Sequence, residues 1–209
     1  MEKLLLELSG ADHPRLCFIP TAGADSDYGI VRFYEVFARY ARLAHLPLFR
    51  RQGDVREFLL EQDAIWVGGG NTLNMLAVWR LHGVDAALRD AWERGIVLGG
   101  VSAGSICWFE SGVTDSYGPE LKPITGCLGW LKGSNCPHYD GEAQRRPVYT
   151  RLVASGELPP GHACDDGAAL LYRGTELAEV VASRPDARAY RVEAGRETQL
   201  EPSRLVRGF

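Results

Sequence analysis

The sequence predicts an α/β protein built on a mostly parallel sheet with helices on both faces. Three observations carry that expectation. Short apolar runs at residues 15–20, 64–67 and 96–100 alternate with amphipathic stretches of helical period. The connections between them are short, and glycine-rich turns close the second and third runs. Parallel strands need crossover segments, and helices on both faces leave the strands apolar throughout rather than alternating.

Arg15-Leu16-Cys17-Phe18-Ile19-Pro20 reads as a buried strand closed by Pro20, followed by a loop of small and acidic residues over 21–27. Phe33, Val36, Phe37, Tyr40 and Leu43 recur at three- to four-residue steps, which predicts a helix over 28–44. A short strand at 46–49 and a helix over 55–62 follow. Ala64-Ile65-Trp66-Val67 is the second buried strand and runs into Gly68-Gly69-Gly70-Asn71-Thr72. Helices are expected over 72–81 and 84–94, the second stopped by Gly95. The third apolar run then enters a turn and a further helix. From Gly112 to about Tyr139 the abundance of Gly, Pro and Ser predicts irregular chain, and 144–156 a helix. The runs 168–172, 178–182 and 189–193 alternate and read as antiparallel strands. No repeat or composition shift marks a linker, so residues 1–209 are expected to form a single domain.

Composition excludes several classes of function. The chain is 45% hydrophobic and 24% charged, as in ordinary globular proteins. A net charge of −4 provides no basic footprint for nucleic acid. No apolar run approaches the ~18 residues of a membrane span. Met1 to Leu8 carries acidic residues and no small-residue cleavage site, unlike a signal peptide. Five cysteines without a C-x-x-C pair point to a reducing, cytoplasmic setting and to neither disulfides nor a metal site.

Gly100-Val101-Ser102-Ala103-Gly104 fits G-x-S-x-G, a sharp strand-to-helix turn that lifts a serine hydroxyl toward a substrate. Such a serine needs a base, and the base an acid. His13, His45 and His82 read as loop or helix-end residues, and His162, after Pro159-Pro160-Gly161, as an exposed turn residue. His138, in a loop after the elbow, is the candidate base. Asp165-Asp166-Gly167 opens an apolar run and offers a carboxylate at a strand edge; Asp115 is the rival acid or a substrate contact. Gly68-Gly69-Gly70-Asn71 matches neither phosphate-binding glycine pattern. Its N–H groups, with that of Ala103, suit an oxyanion hole formed by Gly69, Gly70 and Ala103, with Asn71 a possible substrate contact. A cysteine nucleophile is the weaker reading: Cys107 lies past the elbow, and Cys136 reads as a packed thiol.

Taken together, Val67-Gly68-Gly69-Gly70-Asn71-Thr72, Gly100 to Gly104, Pro137-His138-Tyr139 and Asp165-Asp166-Gly167-Ala168-Ala169-Leu170 resemble the peptidase E family of serine peptidases, which includes α-aspartyl dipeptidases and cyanophycinases. The match spans about residues 15–175. It implies a class I glutamine-amidotransferase-like fold, a flavodoxin-like three-layer sandwich, and a triad of Ser102 as nucleophile, His138 as base and Asp166 as acid. Where the best-known members have Glu, this chain has the shorter Asp166, with Asp165 beside it, so His138 is expected closer to the acid's backbone. The implied activity is hydrolysis of short peptides, with Asp-X dipeptides among the candidates, by a monomer or homodimer without cofactor or metal. An esterase, amidase or cyanophycinase-like hydrolase would use the same triad, and a binding module retaining the fold is the non-enzymatic alternative. The order Ser…His…Asp separates the elbow from that of the α/β-hydrolases.

Overall fold

Leu16, Cys17 and Ile19 are fully buried in consecutive or alternate positions of one strand, so that strand is sheltered on both faces. The structure, a computed structural model, describes residues 1–50 and 53–206. Its contacts divide the chain into two units, Leu4–Gly104 and Ser105–Phe209 with Met1–Lys3.

In the first unit, helix α1 (Glu2–Leu8) precedes β1 (Arg15–Ile19), and α2 (Asp27–Phe37) leads to β2 (Arg42–His45). Then come α3 (Val55–Leu60), β3 (Ala64–Val67), the helix pair α4 (Thr72–His82) and α5 (Val84–Glu93), β4 (Val97–Gly100) and the single turn α6 (Ala103–Ile106). The sheet order is β2-β1-β3-β4 and every pairing is parallel. Leu16 and Phe18 of β1 pack with Leu5 and Leu6 of α1 and with Phe33 and Phe37 of α2, where Phe18 stacks on Phe33 at 5.0 Å. Trp79 of α4 is fully buried, and its indole N–H donates to Thr21 Oγ1 beyond β1 at 3.2 Å.

The helix expected over 28–44 ends at Phe37. The carbonyl of Phe37 accepts from Tyr40 and Ala41, the chain turns, and Arg42–His45 pairs in register with β1. Leu43 continues the helical spacing yet faces the same apolar cluster from a strand, so periodicity cannot separate the two. The strand lies here and not at 46–49, where Pro47 has no N–H for a ladder.

The second unit holds β5 (Phe109–Thr114), β6 (Lys122–Thr125), β7 (Leu131–Cys136), α7 (Arg145–Ala154), β8 (Gly161–Cys164), β9 (Ala168–Arg173), β10 (Glu176–Ala182), β11 (Ala189–Glu193), β12 (Arg196–Leu200) and β13 (Arg204–Leu205). Six strands run in the order β12-β11-β8-β7-β5-β6, with β5, β7 and β8 mutually parallel and the outer strands antiparallel. A smaller sheet pairs β9 antiparallel with β10, and β10 parallel with β13. The region read as irregular thus contains three strands. Its small residues serve close packing: a Cβ on Gly112 would meet Asn135 O of the neighbouring strand at 2.6 Å. Ser134, fully buried, has its hydroxyl 2.7 Å from Tyr149 Oη and 2.6 Å from Pro159 O. His162 is likewise a strand residue with its ring 3.3 Å from Tyr172 Oη, and not an exposed turn residue. Among the described residues no helix is long and apolar enough to cross a membrane.

Candidate active site

In the first unit the elbow is built by steric necessity. Val101 N–H donates to Val67 O at the end of β3, and Gly104 N–H to Val101 O at 2.9 Å, closing a turn around Ser102. A Cβ on Gly100 would lie 2.2 Å from Gly104 O, and one on Gly104 would lie 2.3 Å from Val67 O. Ser102 itself has φ +56°, a left-handed conformation that costs a non-glycine residue about 1–3 kcal/mol. The helix expected after it is only the four residues of α6, whose first residue, Ala103, is fully buried.

The glycine loop meets this turn. A Cβ on Gly69 would sit 3.1 Å from Ser102 Cβ and 3.7 Å from its Oγ, so glycine at this position relieves a tight approach. A Cβ on Gly70, at φ +135°, would lie 2.2 Å from Ala22 O. Gly68 N–H donates to Ile19 O and Asn71 N–H to Ala22 O, which anchors both ends of the loop. Asn71, expected as a possible substrate contact, is the N-cap of α4: its Oδ1 accepts from Asn74 N–H at 2.8 Å. Asn71→Ala is therefore expected to cost about 1 kcal/mol in urea denaturation, and Asn71→Asp, which keeps the acceptor, almost nothing. Equal losses in both variants would show that capping is not what this side chain contributes.

In the second unit, His138 follows β7 at φ +55°, the other left-handed candidate residue. Its neighbour Tyr139 is buried, with its ring against Tyr149 and Tyr190 and its hydroxyl donating to Glu197 at 2.5 Å. Tyr139 N–H donates to Cys164 O at 2.9 Å, which draws the histidine loop onto the turn after β8. There His138 Nδ1 lies 2.6 Å from Asp166 Oδ1. A carboxylate only accepts, so Nδ1–H donates, and in a neutral imidazole Nε2 is then the acceptor. Glu142 N–H returns to His138 O at 3.2 Å. Its carboxylate is held below its ordinary pKa by the hydrogen bond from Arg145, a buried arginine that also donates to Val113 O.

The rival acids stand elsewhere. Asp165 is buried, and Oδ2 accepts from Arg188 N–H at 2.9 Å; burial pushes its carboxyl up. Asp115 lies exposed in the turn after β5. Cys107 and Cys136 are buried thiols pushed up by desolvation, so they are poor nucleophiles.

Sequence reasoning passes over the residues around Asp166. Asp166 N–H donates to Asp140 Oδ1 at 2.7 Å, Arg184 Nε donates to Asp166 O at 2.8 Å, and Arg184 also pairs with Asp140. Partial burial alone would raise Asp140, but the Asp166 N–H and the Arg184 guanidinium hold it below its ordinary value. Asp140, two residues past the histidine, is within sight of the motif. Nothing in the sequence marks Arg184.

Comparison with known proteins agrees with the resemblance drawn from the motifs. The family model described as Peptidase family S51 matches residues 1–180. An uncharacterized peptidase, YgaJ of Bacillus subtilis (strain 168), is 48% identical over 194 residues, covering 92% of this chain and 84% of that protein. Peptidase E of Shewanella amazonensis is 29% identical over 173 residues, 77% of this chain and 72% of its own. The fold is similar to that of a peptidase from an acI-B1 Actinobacterium, with a TM-score of 0.70 at 20% identity, covering 100% of this chain and 89% of the other. A putative peptidase E protein of Listeria monocytogenes EGD-e superposes with a TM-score of 0.59 at 16% identity, over 96% and 93% of the two chains. With its α/β architecture of parallel sheets and its glycine, serine and histidine motifs, the chain belongs to peptidase family S51.

Proposed function

We propose that this peptidase is a serine hydrolase of short peptides in which Ser102 is the nucleophile, His138 the general base and Asp166 the acid that orients it. The observation that carries the reading is the 2.6 Å contact of Asp166 Oδ1 with His138 Nδ1, which sets the tautomer with Nε2 as acceptor. The left-handed backbone at both Ser102 and His138 supports it, since strain of this kind collects at functional residues.

Nε2 takes the Ser102 hydroxyl proton as Oγ bonds to the scissile carbonyl carbon. The proton passes to the leaving amine as the C–N bond breaks, and water, deprotonated by the same nitrogen, releases the acid product and regenerates Ser102. N–H groups of Gly69, Gly70 and Ala103 face the oxyanion in this reading, each such donor contributing about 3 kcal/mol in the transition state. The loop's anchoring hydrogen bonds use the N–H groups of Gly68 and Asn71.

A fluorophosphonate probe is expected to label the full chain, with mass spectrometry placing the adduct on Ser102. A chain that stays unlabelled, or an adduct elsewhere, defeats the reading. Hydrolysis of a dipeptide series varied at the N-terminal residue then reads whether Asp-X substrates are preferred.

A further inference from the structure

An orienting acid must hold its carboxylate against rotation, yet the Asp166 side chain is 54% exposed and sits in a turn between strands. Water competes for an exposed carboxylate, and two side-chain torsions are free to carry it off the imidazole. We propose that Asp140, Gly141 and Arg184 are positioning residues that keep the Asp166 carboxylate on His138; this rests on the reading of that pair as acid and base.

Three observations converge on it. Both backbone polar atoms of Asp166 are held from outside its own turn: the N–H by Asp140 Oδ1 at 2.7 Å, the carbonyl by Arg184 Nε at 2.8 Å. Asp140 and Arg184 pair with each other, so the two clamps close into a ring, and Arg184 Nη1 is fixed in turn by Asp186 at 2.5 Å. Asp140 lies two residues after His138, so the ring ties the base's loop to the acid's turn. Finally, a Cβ on Gly141 would lie 2.1 Å from Asp166 Oδ2. The second carboxylate oxygen occupies space that only glycine leaves open.

The clamp side chains are 37–39% exposed, and an ion pair that exposed contributes little to folding. Fixing the backbone of Asp166 is what its geometry achieves. The Gly141 contact has the same character. The atom it would strike is the end of a side chain that can swing away, so an added methyl group leaves the fold intact and turns the carboxylate off the imidazole.

The test uses the full-length protein and two readouts. The first is the downfield proton resonance of His138 Nδ1–H, identified by its loss in His138→Gln and Asp166→Asn. The second is the rate of fluorophosphonate labelling. Gly141→Ala and Arg184→Met are each expected to weaken or shift the resonance and to slow labelling on the order of 10²-fold, with a wild-type thermal midpoint. Arg184→Lys is not expected to rescue, because one ammonium cannot reproduce the guanidinium's donors to Asp166 O, Asp140 and Asp186. A wild-type resonance and labelling rate in both Gly141→Ala and Arg184→Met overturn the proposal, as does a wild-type spectrum without the resonance. If the wild-type chain resists labelling altogether, the hydrolase reading fails by itself, and the resonance alone then decides the clamp.

Discussion

Ser102→Ala is expected to lower peptide hydrolysis by roughly 10⁴–10⁶-fold while leaving folding unchanged. Alanine keeps the Cβ, so the left-handed strain at φ +56° and the approach of Gly69 both persist; only the hydroxyl oxygen is removed. What activity remains would come from the oxyanion donors and substrate binding, which act without a nucleophile. The comparison is of kcat on the dipeptide that the wild type cleaves fastest, with urea denaturation alongside. A variant within about tenfold of the wild type in kcat would remove Ser102 from the mechanism, since loss of a triad nucleophile costs orders of magnitude more.

Gly104→Ala is expected to cost about 3 kcal/mol or more of stability, at the upper end of overpacking penalties. The added Cβ would lie 2.3 Å from Val67 O and 2.8 Å from Val67 C. Those are backbone atoms of a fully buried strand end, and they have no rotamer to escape into. Gly95→Ala is the informative control: that glycine is left-handed, at φ +84°, but a Cβ added there would meet nothing within 4 Å. It should cost only about 1 kcal/mol, the conformational penalty by itself. The difference between the two urea midpoints measures the contact. If Gly104→Ala proves no less stable than Gly95→Ala, the elbow does not depend on that close approach.

The contrast between Gly141 and Gly104 follows from the same reasoning. A methyl group at Gly104 strikes backbone and is expected to be read in stability, whereas one at Gly141 strikes a carboxylate and is expected to be read in chemistry.

Much of the first unit is legible in the residues because its information is local. The strand 64–67 and the helices after it have the apolar runs, caps and glycine stops that act over a few residues. The G-x-S-x-G and Gly-Gly-Gly-Asn turns are legible for a related reason: glycine is required where another Cβ cannot fit, and the need is visible as a pattern. The stretch 28–44 misleads because Leu43 satisfies a helical period and an apolar strand face equally well. Strands β5 and β7 escape notice because their Gly, Ser and Asn residues carry loop propensities, and β6 because Pro123 reads as a strand breaker. Cross-strand contacts of buried polar groups, as at Ser134, override those propensities.

By itself the sequence determined the α/β class, the elbow around Ser102, and the small set of residues, His138 and Asp166 among them, with the chemistry a hydrolase needs. Those follow from short-range sterics and side-chain type. The residues taken one by one left the carboxylate open and only the family resemblance pointed to Asp166; the tertiary structure shows Asp166 against the imidazole and what steadies it. Asp165, Asp166 and Asp115 are chemically alike in the sequence. One is taken up by the Arg188 backbone, one lies 2.6 Å from His138, and one stands exposed in a turn. Residues 28 apart are brought together by the parallel pairing of β7 with β8, and Arg184 arrives from the far end of β10. Contacts of that span depend on how strands register against one another, and no local pattern encodes them.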